Sequence, residues 1–150
     1  SLLGARQYRE AAAHARRALA IDATHFISWV VLGHAQWRLG LGPDAIASLT
    51  RAAELAPWSG EVSASLAAVH HAAGDHERGR EWAATAKTIG ARARWHLAAY
   101  YAATGDTSAM FDALDIAPVH FLWDEAFDDY RTDTRYLDLL RARNLPAAAR

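Results

Sequence analysis

Apolar and small residues recur along this chain at helical spacing, and they do so in blocks. Within 26–59, Trp29, Leu32 and Gln36 fall on one helical face, and Ala45, Leu49 and Ala52 on one face of the helix that follows. Gly33 and Ala45 are small enough to let the two helices approach closely. Gly40 ends the first helix, Gly42-Pro43 opens the second and Pro57 stops it. The block therefore reads as one helix–turn–helix unit of 34 residues.

Aligned on the turn glycine, the unit recurs. Gly40 returns as Gly74 and Gly105, at spacings of 34 and 31 residues. Leu32-Gly33 becomes Leu66-Ala67 and Leu97-Ala98; Leu49 becomes Ala83 and Leu114; Ala52 becomes Ala86 and Ala117. The shorter second spacing places a three-residue deletion around Thr88 to Ala91 and predicts a tight connection there. Further helices are predicted over 5–21, 61–73, 76–89, 92–104 and 107–117, with Asp75 and Asp106 as N-caps after their turn glycines. From Val119 to Pro146 the pattern changes. A short amphipathic helix is expected at 120–126 and a final one at 134–143, capped by Asp133 and ended by Asn144 or Leu145-Pro146.

The order Trp29, Leu32-Gly33, Ala45, Leu49, Ala52, Pro57 resembles the tetratricopeptide repeat, with Leu49 where an aromatic is usual. That resemblance covers nearly the whole chain. It implies an all-α fold, a right-handed superhelix of antiparallel helix pairs closed by a C-terminal capping helix. The expected organisation is one domain over 1–150: a partial repeat at 1–25, repeats at 26–59, 60–90 and 91–118, and a cap at 119–150. Because a last repeat needs a cover with a polar outer face, the stretch after 118 is expected to be structural.

Composition agrees with closely packed helices: 36 alanines supply the strongest helix former, and alternating β-branched runs are scarce. The formal net charge of −1 offers no basic field for nucleic acid or an anionic membrane. Cysteine is absent, which removes disulfides, thiolate metal sites and cysteine catalysis. With neither a spanning apolar run nor a signal peptide, a cytoplasmic location is the expectation. Ser1-Leu2-Leu3 reads as the last turn of a truncated helix, so a longer parent chain is expected. The first helix then keeps a face for another subunit, or for the parent protein's own domains.

The candidate chemistry is thin. His70, His71, His76 and His96 come from neighbouring repeats without metal-ligand spacing, so no metal or cofactor is expected. His70 takes the position of Gln36 and Tyr101 in the adjacent repeats, which predicts a buried polar ladder. The acidic residues Asp124, Glu125, Asp128, Asp129 and Asp133 read as caps and as partners of Arg131 or Arg135, not as paired catalytic carboxylates. No phosphate loop or Ser-His-Asp set is present, and the chain is not expected to be an enzyme.

The segment Asp124 to Pro146 is similar to the tail of a bacterial family of tetratricopeptide regions, carried here by Asp124, Phe127, Asp128, Arg131, Asp133, Arg135, Tyr136, Leu139 and Leu140. Such regions end cyclases, serine/threonine kinases and winged-helix regulators. The resemblance implies a non-catalytic interaction or regulatory module of a larger bacterial signalling protein. Tetratricopeptide proteins bind partners in the concave groove lined by the first helix of each pair. Carried over, that rule presents Ile27, Val30, His34, Trp37 and Arg38, then Ala64, Ala68 and His71, then Trp95, Ala99 and Ala102. Trp37 lies eight residues after Trp29, about 80° off its core stripe. The partner-binding set is therefore Val30, His34, Trp37, Arg38, His71 and Trp95, for a protein or peptide partner. The alternative is a small-molecule or peptide sensor taking an apolar ligand over the alanine floor between Trp37 and Trp95. Recognition of acidic chaperone tails is not expected, since the only lysine is Lys87 and the only asparagine Asn144.

Overall fold

A computed structural model describes residues 2–147, apart from the side chains of 91–93; Ser1 lies outside the described residues. The chain is helical with no strand among those residues, and its order follows the sequence pattern. α1 spans Leu2–Ile21, α2 Phe26–Arg38, α3 Gly42–Leu55, α4 Gly60–Ala72 and α5 His76–Ile89. A 3₁₀ helix, Ala91–Leu97, runs directly into α6, Ala98–Thr104, and α7 spans Thr107–Asp115. Two 3₁₀ turns, Val119–Trp123 and Glu125–Tyr130, precede α8, Thr134–Ala142. Consecutive helices pack pairwise, and α4 also lies against α6.

The same turn is built three times. Gly40, Gly74 and Gly105 sit at φ of 78°, 92° and 80°, a left-handed conformation that costs a residue with a side chain extra energy. In each turn the residue after the glycine donates its N–H back into the preceding helix: Leu41 to the Gln36 carbonyl at 2.9 Å, Asp75 to His70 at 2.9 Å, Asp106 to Tyr101 at 3.0 Å. These bonds satisfy carbonyls that a helix end otherwise leaves open. Asp75 and Asp106 then accept from the N–H of Arg78 and Ala109, each at 3.1 Å, and so start α5 and α7 as N-caps. Asn144, at φ 56°, closes α8 in the same way, with Leu145 N–H bonded to the Leu140 carbonyl at 2.9 Å.

Corresponding positions of the repeats are buried together. Leu32, Leu66 and Leu97 are all buried, as are Ala52, Ala86 and Ala117. The close approach of α2 and α3 depends on Gly33: a Cβ there would lie 2.6 Å from Leu49 Cγ. Gln36 and His70 are buried and Tyr101 half-buried. Gln36 accepts from Ser48 within its own repeat at 2.6 Å, so the expected ladder is a set of equivalent positions, not one hydrogen-bonded chain.

Two elements differ from expectation. The first helix of the last pair was expected to be α-helical over 92–104, but its first half is wound as 3₁₀. The shortened repeat leaves Gly90 as the single link between α5 and this helix. Gly90 adopts φ 152° and ψ 159°, a region essentially restricted to glycine. A chain turned this abruptly starts its next helix tightly wound, and α geometry returns at Ala98. The helix expected at 120–126 is likewise two 3₁₀ turns. They are divided by Asp124, whose extended backbone and side chain, accepting from Ala126 N–H at 2.9 Å, start the second turn.

The tail covers the last helix pair. Leu122, Phe127, Tyr136 and Leu140 are fully buried with Met110 and Leu114. Arg131 ties it together, donating to the Leu122 carbonyl at 3.0 Å, to Tyr136 Oη at 2.8 Å and to the Asp124 carbonyl at 3.1 Å. Arg143 donates to the carbonyls of Leu114, Asp115 and Ala117 at the end of α7, where a cation complements the helix dipole.

Candidate functional site

A cleft of about 780 Å³ opens between α1, the first helix of each pair and the tail. Its floor is alanine: Ala64, Ala68 and Ala72 recur every fourth residue on α4, and Ala99, Ala102 and Ala103 face them from α6. One wall is built by α1 and α2 through Tyr8, Val31, His34, Trp37 and Arg38. The other is Trp95 and His96 together with the tail residues Phe121, Trp123 and Tyr130. Small side chains on the floor let large rings stand around it, so the cleft is wide and aromatic-walled.

Of the six residues expected to face a partner, His34, Trp37, Arg38 and Trp95 line this cleft. Val30 does not. It is only 7% exposed and packs with Leu49, Ala52, Val62 and Leu66, while its neighbour Val31 takes the outward position. A helix turns 100° per residue, so an error of one position is enough to exchange core for surface. His71 lies in a separate depression lined by His76, Arg80, Lys87 and Tyr100; its Nδ1 is 2.9 Å from that of His76. Trp37 is half-buried, with its indole 3.7 Å from where a Gly42 Cβ would stand, so it serves both the core edge and the cleft wall. Trp95 stands edge-to-face on Phe121 at 4.8 Å, and the chain's own tail covers one side of its ring.

The tail also crosses the cleft mouth. Arg38 donates to Asp124 at 2.7 Å and lies 3.8 Å from Glu125, while Tyr8 Oη donates to Glu125 at 2.5 Å. The acidic run thus divides its work. Asp128 pairs with Arg131 and Asp133 caps α8, as the spacing suggested, whereas Asp124 and Glu125 reach helices α1 and α2. Sequence reasoning missed Tyr8, Glu61, His96, Phe121 and Trp123 as cleft residues. An acidic pair with no local arginine at helical spacing was the available signal for Asp124 and Glu125.

Four titratable groups of the cleft, Tyr8, His34, Glu61 and His96, are shifted towards neutrality. Burial lowers the His96 pKa to about 4, and nearby His34 adds to the effect. His34 is open to the cleft on one side and surrounded by protein on the others. Its pKa is lowered first by lost hydration and then by the Arg38 charge. Its Nε2 lies 2.9 Å from Ser65 Oγ, which joins α2 to α4 across the floor. Burial raises the Glu61 carboxyl. At neutral pH the His34 and His96 imidazoles are uncharged hydrogen-bonding groups, and Arg38 and four carboxylates also line the cleft. Among the described residues no three His, Cys, Asp or Glu side chains converge on a point where a metal ion would sit, and no helix is long and apolar enough to cross a membrane.

No family model and no curated protein sequence matches the chain. The three equivalent turns and the equivalent buried positions therefore carry the case for a helical repeat.

Proposed function

We propose that this chain is a tetratricopeptide-type superhelix without chemistry of its own, acting as the sensing module of a regulatory protein, and that its concave cleft takes a compact ligand with an apolar body. The observation that carries this reading is the tail laid across the cleft from Phe121 to Glu125 and fastened to Tyr8 and Arg38. An open groove suits an extended peptide; a groove closed on one side suits something small. The volume of about 780 Å³ falls within the range of small-molecule sites. Large rings around an alanine floor supply apolar contact, and His34, Ser65 and His96 supply a few fixed polar groups. The alternative of a protein docking along the whole concave face is less favoured, because Phe121 already covers part of Trp95.

A neutral fluorescent probe of apolar sites, N-phenyl-1-naphthylamine, tests the reading. Its emission should rise on binding to the native chain and should not rise with Ala68→Trp, which fills the floor. Equal emission with both proteins, at equal thermal stability, would remove the cleft as a ligand site.

A further inference from the structure

Resting on that reading, we infer that the ligand is an organic cation: a quaternary or protonated ammonium group carried on an apolar body. The cleft lining holds four carboxylates, Glu61, Asp124, Glu125 and Asp129, against one guanidinium, Arg38. Arg38 is already engaged by Asp124 and Glu125. Among the described residues neither Glu61 nor Asp129 has an ion-pair partner, so the cleft keeps a net negative charge that nothing in the fold neutralises. The concave, low-dielectric wall focuses that field inward.

Two further features fit a cation. The indoles of Trp37, Trp95 and Trp123 all border the cleft, and the face of an indole is the best aromatic partner for an ammonium ion. Arg131 already lies over Trp123 at 5.4 Å and His96 stacks on Trp95 at 3.4 Å, so Trp37 offers the freer ring. The fold shifts His34 and His96 towards the neutral form, so these two do not offset the carboxylates. Glu61 points the same way: partial burial disfavours its ionised form, and an incoming ammonium would restore it. An anionic ligand would meet repulsion from Glu61 on α4 and from Asp124, Glu125 and Asp129 on the tail. A neutral apolar ligand would leave the Glu61 charge uncompensated. Charge complementarity thus selects one occupant from those the volume admits.

The test is displacement of bound N-phenyl-1-naphthylamine by three compounds of nearly one shape: benzyltrimethylammonium, its uncharged carbon isostere neopentylbenzene, and benzenesulfonate. We expect the cation to displace the probe at a concentration at least tenfold lower than either of the others, an advantage that shrinks as salt rises. Glu61→Gln with Asp129→Asn should reduce that advantage to less than threefold, while neopentylbenzene displaces the probe as before. Retained displacement by the isostere shows that the double variant still folds. If the isostere matches the cation in the native chain, or the advantage survives in the double variant, the charge inference fails and the cleft reading stands. If the probe itself does not bind, both fall together.

Discussion

Arg38 and Asp124 are 86 residues apart in the chain and 2.7 Å apart in space. Arg38 ends α2, Asp124 starts the second turn of the tail, and both line the cleft. The pair converts the tail from a cover for the last helix pair into a bridge to the first one. Both side chains stay partly wet, at 26% and 33% exposure, so the contact is one that opens at modest cost.

Opening the bridge should therefore loosen the tail without unfolding the repeats. Asp124→Asn keeps the cap on Ala126 and removes the charge; Arg38→Gln removes the other. A double-mutant cycle should return about 1 kcal/mol of coupling. Amides of 119–130 should exchange roughly fivefold faster in either variant, while those of α4 stay protected. Unchanged exchange in the tail would mean that the bridge holds nothing in place.

Gly33→Ala should destabilise by about 1–3 kcal/mol, because its new Cβ would lie 2.6 Å from Leu49 Cγ and overpack the α2–α3 contact. Leu49→Ala made in that background should cost less than in the native chain, since it relieves the clash. Urea unfolding of the four proteins gives the cycle, and strict additivity would count against a direct contact.

Tyr136 should separate ring from hydroxyl. The ring is fully buried, and Tyr136→Ala should cost about 3–5 kcal/mol. Its hydroxyl donates to the Leu122 carbonyl and accepts from Arg131. Arg131 also bonds that carbonyl directly, at 3.0 Å. Tyr136→Phe thus leaves the carbonyl a partner and should cost only about 1 kcal/mol. Thermal melts that rank the two variants the other way would contradict this account of the cap.

Acid should destabilise the fold through its buried imidazoles. His96 titrates near 6.5 in an unfolded chain and at about 4 in the fold. Between those values the unfolded state binds more protons, so stability is full above pH 6.5 and falls as the pH drops towards 4. The lowered values of His34 and His70 act in the same direction. In His96→Phe, which retains an aromatic ring beside Trp95 and Phe121, the urea midpoint should fall less steeply over this window. Parallel curves for the two proteins would show that His96 is not held neutral by the fold.

Local chemistry was legible from the residues alone. The turn glycines, the aspartate caps and the small residues between paired helices act within a few positions of themselves, so spacing was enough to place α2, α3 and α5 and to give Asp75, Asp106 and Asp133 their roles. The deletion before the last pair also announced the tight link at Gly90. Spacing did not reveal that the helix after that link begins as 3₁₀ over 91–97, where it packs against α4 and α5.

The candidate site was legible in half. The resemblance to tetratricopeptide repeats, carried over position by position, selected His34, Trp37, Arg38 and Trp95, which line the cleft. Val30 fell to the core through an error of a single 100° step, and His71 to a separate depression because α4 presents Ala68 and Ala72 to the cleft. Only the tertiary structure decided that the tail would return across the opening and join Arg38 to Asp124. The approach of two residues 86 positions apart depends on how every intervening helix packs, and no local pattern of residues records that sum.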